Sequence, residues 1–254
     1  MGRINRLLNR RLVILLGAVP ATLIVLHFIL APLRGEIALS TTSPSLGEMV
    51  VSSFSHASLS HLFGNIGAYI TGMTVLYAIL VAIDREENAL LFLLVSLLVI
   101  PIVSGVASVL YYSLASSVSV RTVGFSGVVF GVFGAILYYE AYHIRRVSDT
   151  NKPPLSLTFY GFVILVGATI IQLGFSLAGS GFILLGTALS VYYWGSHFIL
   201  NRHVAVLLPV LVLGLGSFVW LLSSTTASQS VNYVSHAVGF LGGGLSAAMT
   251  EWLS

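Results

Sequence analysis

The chain has 254 residues, of which 57% are hydrophobic and only 7% charged, and its mean hydropathy is +1.00. A soluble domain of that composition would expose apolar patches far larger than water tolerates, so composition excludes a soluble enzyme and points to a polytopic membrane protein in a lipid bilayer. With no Cys there is no disulfide, thiolate nucleophile or thiolate metal site, and the net charge of +3 lies at the ends of apolar runs, which fits membrane orientation and not nucleic-acid binding.

A spanning helix needs about 20 mostly apolar residues, because hydrocarbon satisfies no backbone N–H or C=O. In chain order the sequence predicts eight: roughly 12–33, 61–83, 89–114, 126–144, 155–177, 181–200, 203–223 and 231–252. The first follows a basic leader but is longer than a signal-peptide core and lacks a small-residue cleavage site, so it reads as an uncleaved first helix. The outer loop at about 34–60 carries a short interfacial stretch from Leu46 to Val51 and a polar stretch from Ser40 to Ser43, which with the polar segment 223–230 is expected to rim a water-filled cavity. Very short turns at 178–181 and 201–202 separate the later spans. With the N-terminus cytoplasmic, nine of the eleven Lys and Arg residues fall on inner segments, leaving only Arg34 and Arg121 outside. The expected architecture is therefore an all-α bundle of about eight transmembrane helices, both termini cytoplasmic, forming one domain over residues 1–254.

Depth sorts the polar residues. His61 and Asn65 lie at the outer end of the second span, Ser126 at the outer end of the fourth and His236 in the outer part of the eighth. Glu140 lies 14 residues further along than Ser126, about 21 Å deeper at 1.5 Å per residue, and reads as a snorkelling or interfacial carboxylate. His143, His197 and His203 sit near the same inner boundary.

Spacing links the outer group. His61 and Asn65 are i and i+4, so both side chains can point at one spot and donate hydrogen bonds to a developing oxyanion. Gly239 and Gly243 lie at i+3 and i+7 from His236, and Ser126 heads a helix with its own small-residue stripe of Gly127, Gly131 and Gly134. Two such faces can approach closely enough for a serine–histidine hydrogen bond between separate helices. Each pattern alone also fits ordinary helix packing. Together, at matching depth, they make a functional cluster, because polar and ionisable groups inside a membrane are costly.

The stretches His56 to Asn65, Gly124-Phe125-Ser126-Gly127 and Ser235-His236-Ala237-Val238-Gly239 with Gly243 resemble the signature helices of the rhomboid intramembrane serine proteases. The resemblance implies Ser126 as nucleophile and His236 as general base, a dyad without a carboxylate. It further implies an oxyanion hole of His61, Asn65 and the Ser126 N–H, with His56 supporting the nearby loop and Gly124 and Gly127 flanking the nucleophile. Three departures stand out. Phe130 occupies the position where the family usually has a Tyr that stacks on the histidine; the 34–60 loop lacks a Trp-Arg pair; and three spans, not one, separate Ser126 from His236. The extra pair falls within about 155–223. Both residues lie near the outer surface, so the number of intervening spans has to be odd.

The expected function is an intramembrane serine endopeptidase of the cell membrane, acting on single-span membrane proteins near the outer interface. No motif suggests a metal or an organic cofactor. Two other classes compete: an inactive rhomboid-like protein that binds transmembrane segments, disfavoured by the presence of Ser126 and His236, and a transporter, for which no inverted repeat is visible.

Overall fold

In the computed structural model the described residues are 10–115, 121–148 and 232–254, with 154–156, 158–159, 162–163 and 185–186. Numbered among these, the helices are α1 (Arg10–Ile29), α2 (Arg34–Ile37), α3 (Leu46–Val51), α4 (Leu59–Ala82), α5 (Asn88–Ala115), α6 (Ser126–Ser148) and α7 (Tyr233–Leu253). Four of them, α1, α4, α5 and α6, are long and apolar enough to cross a membrane. Their ends agree with the expected spans to within about four residues. The spans expected at 155–177, 181–200 and 203–223, and the polar segment 223–230, lie almost wholly outside the described residues.

α6 is the central helix. Of the residues in its most apolar stretch 83% are buried, against 22% for the peripheral α1. Glu140 follows from this: its side chain is only 1% exposed, so it does not snorkel, and the expectation of an interfacial carboxylate is corrected. Residue count along the axis fixed its depth, but its radial direction is inward because neighbouring helices cover α6 on every side. His143 is likewise buried at 9% exposure.

α7 packs on α6 through backbone and not through side chains. A Cβ on Gly239 would collide with the carbonyl of Gly127, and one on Gly243 with the carbonyl of Gly131. In the opposite sense, a Cβ on Gly134 would strike the Phe240 carbonyl. The pairing advances in the same direction on both helices, so they run parallel and begin on the same side. This is the arrangement that an odd number of intervening spans requires. α7, at 21 residues, has the length to span, yet it falls outside the set of most apolar helices: His236 and Glu251 lower its hydropathy and its glycines add nothing to it.

Polar ties close the end of the bundle opposite Ser126. Asn88 Nδ2 donates to Glu251 Oε1 at 2.8 Å, Arg85 Nε lies 3.6 Å from Glu251 Oε2, and Arg146 donates to the Ile83 carbonyl at 3.0 Å. Hydrogen bonding to Tyr142, with the Glu251 charge behind it, raises the proton affinity of Arg85 further. The Glu251 contacts anchor α7 to the α4–α5 turn, and the Arg146 contact anchors α6 to it.

The loop between α1 and α4 is held by both local and long-range contacts. Ser45 caps α3 in a reciprocal capping box with Glu48, and the α3 residue Met49 packs onto Gly105 of α5. One feature departs from the all-α expectation: β1 (Leu39–Ser40) pairs antiparallel with β2 (Arg121–Thr122), Leu39 opposite Thr122 and Ser40 opposite Arg121. Arg121 also donates to the Gly35 carbonyl. Ser40 and Thr41 are thereby buried, so of the stretch expected to rim a water-filled opening only Thr42 and Ser43 are exposed.

Gly243→Ala is expected to lower stability by about 3 kcal/mol, since backbone faces backbone and no side chain can yield. Gly67, with nothing within 4 Å of its would-be Cβ, supplies the comparison. Gly67→Ala should be neutral or stabilising by up to about 1 kcal/mol. Unfolding midpoints in mixed micelles measure both, and equal effects would contradict the close approach of α6 and α7.

Candidate active site

Ser126 is the first residue of α6, and the turn before it is built by Gly124 and Phe125. Gly124 has φ +138°, a region that L side chains avoid, and its N–H donates to the Ser52 carbonyl at 3.0 Å. Space is closed to a side chain there too. A Cβ on Gly124 would sit 2.8 Å from His61 Cε1 and 3.8 Å from Ser126 Oγ, so both residues border the same point. Phe125 is fully buried between Phe54 and Tyr69, each ring 5.8 Å away, which anchors the turn to the loop and to α4.

His236 lies in the first turn of α7, buried at 6% exposure. Its Nε2 is 2.8 Å from Ser126 Oγ, within ordinary hydrogen-bond range for residues 110 apart in sequence. The Phe130 ring stacks on the imidazole with centroids 4.3 Å apart and planes 11° from parallel. Phe130 stands one turn below Ser126 on the same face, so the serine helix itself carries the plate against which the histidine rests.

α4 brings His61 to the same point as Ser126, and Asn65 lies one turn further along that helix. Ser58 caps α4 by accepting the His61 N–H at 3.2 Å, which sets where the helix begins. His61 Nδ1 is buried without a protein partner. Asn65 is 1% exposed, and its amide donates to the His61 carbonyl at 3.1 Å. An amide nitrogen has two hydrogens, so one donor is left over.

Behind His61 the histidines continue. The His56 ring is 5.2 Å from His61 and 6.5 Å from His27 on α1, and Arg34 donates to His27 Nε2 at 2.9 Å. His27 and Arg34 were not among the residues expected at the site. No spacing rule links them to His56, because their approach depends on how α1 leans on the loop.

A small polar cavity of about 20 Å³ adjoins the site, lined in part by Ser104, Ser108, Asn232, Ser235 and Gly124. That is room for one water with several polar partners. Among the described residues no group of three or more His, Asp or Glu has the arrangement to hold a metal ion.

His56 is fully buried, and burial, reinforced by His61, His27 and Arg34, pushes its proton affinity down to about 3. In an unfolded chain a histidine titrates near 6.5. The stabilisation is present above about 6.5 and is lost as pH falls from there towards about 3, because only the unfolded state takes up the proton in that window. His56→Gln should therefore flatten the pH dependence of unfolding between these limits by up to about 1.4 kcal/mol per pH unit. An unchanged slope would mean that His56 protonates in the folded protein.

Residues 43–173, just over half of the 254-residue chain, match the Rhomboid domain family. No curated protein and no solved structure matches the chain. The match takes in His56, His61, Asn65 and Ser126 and ends before His236, which the fold brings to Ser126 from the far end of the chain. Members are usually serine intramembrane proteases that act on transmembrane substrates in the bilayer, and inactive relatives exist. From the extent of that match and its apolar helices, the protein is an integral membrane protein belonging to the rhomboid family.

Proposed function

We propose that the protein is an intramembrane serine endopeptidase that cleaves transmembrane-segment substrates near the outer interface of the cell membrane through a Ser126–His236 dyad. The observation that carries this reading is the 2.8 Å separation of Ser126 Oγ and His236 Nε2. Residues 1–254 act as one domain, with the extra spans of about 155–223 as an insertion that returns the chain to the same side.

With its proton on Nδ1, His236 presents the Nε2 lone pair to the Ser126 hydroxyl. As Oγ attacks the scissile carbonyl carbon, the hydroxyl proton passes to Nε2 and negative charge gathers on the carbonyl oxygen. That oxygen is met by N–H donors: the spare Asn65 hydrogen, the His61 ring and the Ser126 N–H, which as a first-turn group has no intrahelical acceptor. Collapse of the tetrahedral intermediate breaks the C–N bond, and His236 gives its proton to the departing amine. A water then attacks the ester while His236 takes its proton, and a second collapse returns that proton to Ser126 Oγ and frees the new carboxyl end. The polar cavity beside Gly124 and Ser235 is a reservoir for that water.

Stacking on Phe130 orients the imidazole without a hydroxyl. Of the usual Tyr at this position the ring face is kept, and the ring face is what restrains rotation of the histidine. A substrate helix has to unwind locally to present an extended peptide to Ser126, so substrates with helix-destabilising residues near the outer interface are preferred.

In lipid, with model single-span substrates and a serine-reactive fluorophosphonate, the wild type should cleave and label, whereas Ser126→Ala and His236→Ala should do neither. Activity surviving in either variant, or a silent wild type, would remove the dyad. On the same substrates Phe130→Tyr should retain activity and Phe130→Ala should lose about tenfold or more in kcat. A Phe130→Ala enzyme with wild-type kcat would show that stacking does not position the base.

A further inference from the structure

His236 sits in the first turn of α7, where a helix is least constrained, because the first four N–H groups have no intrahelical acceptor. A base needs the opposite. Its ring has to stay within hydrogen-bond reach of one oxygen, and displacement by about 1 Å costs on the order of a hundredfold in rate.

Asn232, immediately before α7, meets this need from three directions. Its Oδ1 accepts the Ser235 N–H at 3.1 Å, and its backbone carbonyl accepts the His236 N–H at 3.3 Å. Its Nδ2 reaches away from the helix, donating to Ser108 Oγ of α5 at 2.8 Å and lying 3.5 Å from Thr122 Oγ1 of β2. Ser108 is fully buried, and its own hydroxyl donates to the Ser104 carbonyl at 2.6 Å. With that hydrogen committed, only a lone pair faces Asn232, so the amide is oriented from both ends: nitrogen towards Ser108, oxygen towards the helix.

Capping alone does not require asparagine, since Ser or Asp caps as well. What the amide adds is a donor that caps and bridges at once. The bridge runs from the histidine helix to α5, and by its longer contact to the strand that leads within four residues to Ser126. Resting on the dyad reading above, we propose that Asn232 is a positioning residue for His236, holding the depth and rotation of the base against the serine through Ser108.

The test is fluorophosphonate labelling in lipid, read as both rate constant and final extent, together with kcat and KM on a single-span substrate. Labelling requires no deacylating water, so it separates positioning from any change in the cavity that Asn232 and Ser108 also line. Asn232→Ala should reach the wild-type extent of labelling but at a rate reduced about ten- to a hundredfold, with a matching fall in kcat and an unchanged KM. Asn232→Ser, which keeps the cap and loses the reach, should fall between it and the wild type. Ser108→Ala combined with Asn232→Ala should be no slower than Asn232→Ala alone, because both remove the same contact. Should Asn232→Ala fail to fold, Asn232→Ser and Ser108→Ala carry the same comparison. Wild-type rates in the variants, or a loss in extent with no loss in rate, would reduce Asn232 to a fold element and overturn the proposal while leaving the dyad intact. A wild type that does not label would overturn both.

Discussion

The contact on which the rest depends is made without side chains. Where Gly127 and Gly131 meet Gly239 and Gly243, α6 and α7 approach until backbone touches backbone. In a bilayer no hydrophobic force drives helices together, because lipid is as apolar as leucine, and close van der Waals contact has to do that work. The Ser126–His236 distance is a result of this packing. Interpose one methyl group at Gly239 and the helices have to separate just below the histidine, at the place where a few tenths of an ångström decide whether a hydrogen bond exists.

Around that contact the loops beside Ser126 are fixed by hydrogen bonds, some between near neighbours and some between distant segments. Ser45 with Glu48 begins α3, Ser58 begins α4 beside His61, and the Gly124 N–H reaches the Ser52 carbonyl. Each satisfies a backbone group that has no helical partner. The same bonds that make these segments tolerable at the membrane also align the groups around Ser126. Structural satisfaction and site geometry are here served by one set of contacts.

Much of this was legible in the sequence, for reasons that individual residues make plain. The glycine stripes announced a close approach because small residues at helical spacing leave a flat face, and the helix ends fell near their expected positions because apolar runs of about 20 residues have one physical use in a bilayer. Other features left no periodic trace. The β1–β2 pairing involves two residues on each side, too few for alternation to register. Glu140 could be placed along α6 but not around it, because an axis count says nothing of which neighbours enclose a helix. His27 and Arg34 meet His56 only through the lean of α1. Asn232 did not stand out in the sequence, because it follows a run rich in Ser and Thr, residues that begin a helix as readily.

The way α7 is secured has a mechanical consequence. Its first turn is joined to α5 through Asn232, its middle to α6 through glycine, and its last turn to Arg85 and Asn88 through Glu251. A rod fastened at both ends and along its length resists bending, and the serine and histidine ride on a pair fastened in this way. Compliance has to lie elsewhere. A lateral parting of helices wide enough to admit another chain would then fall to elements outside that pair and leave Ser126 and His236 in register.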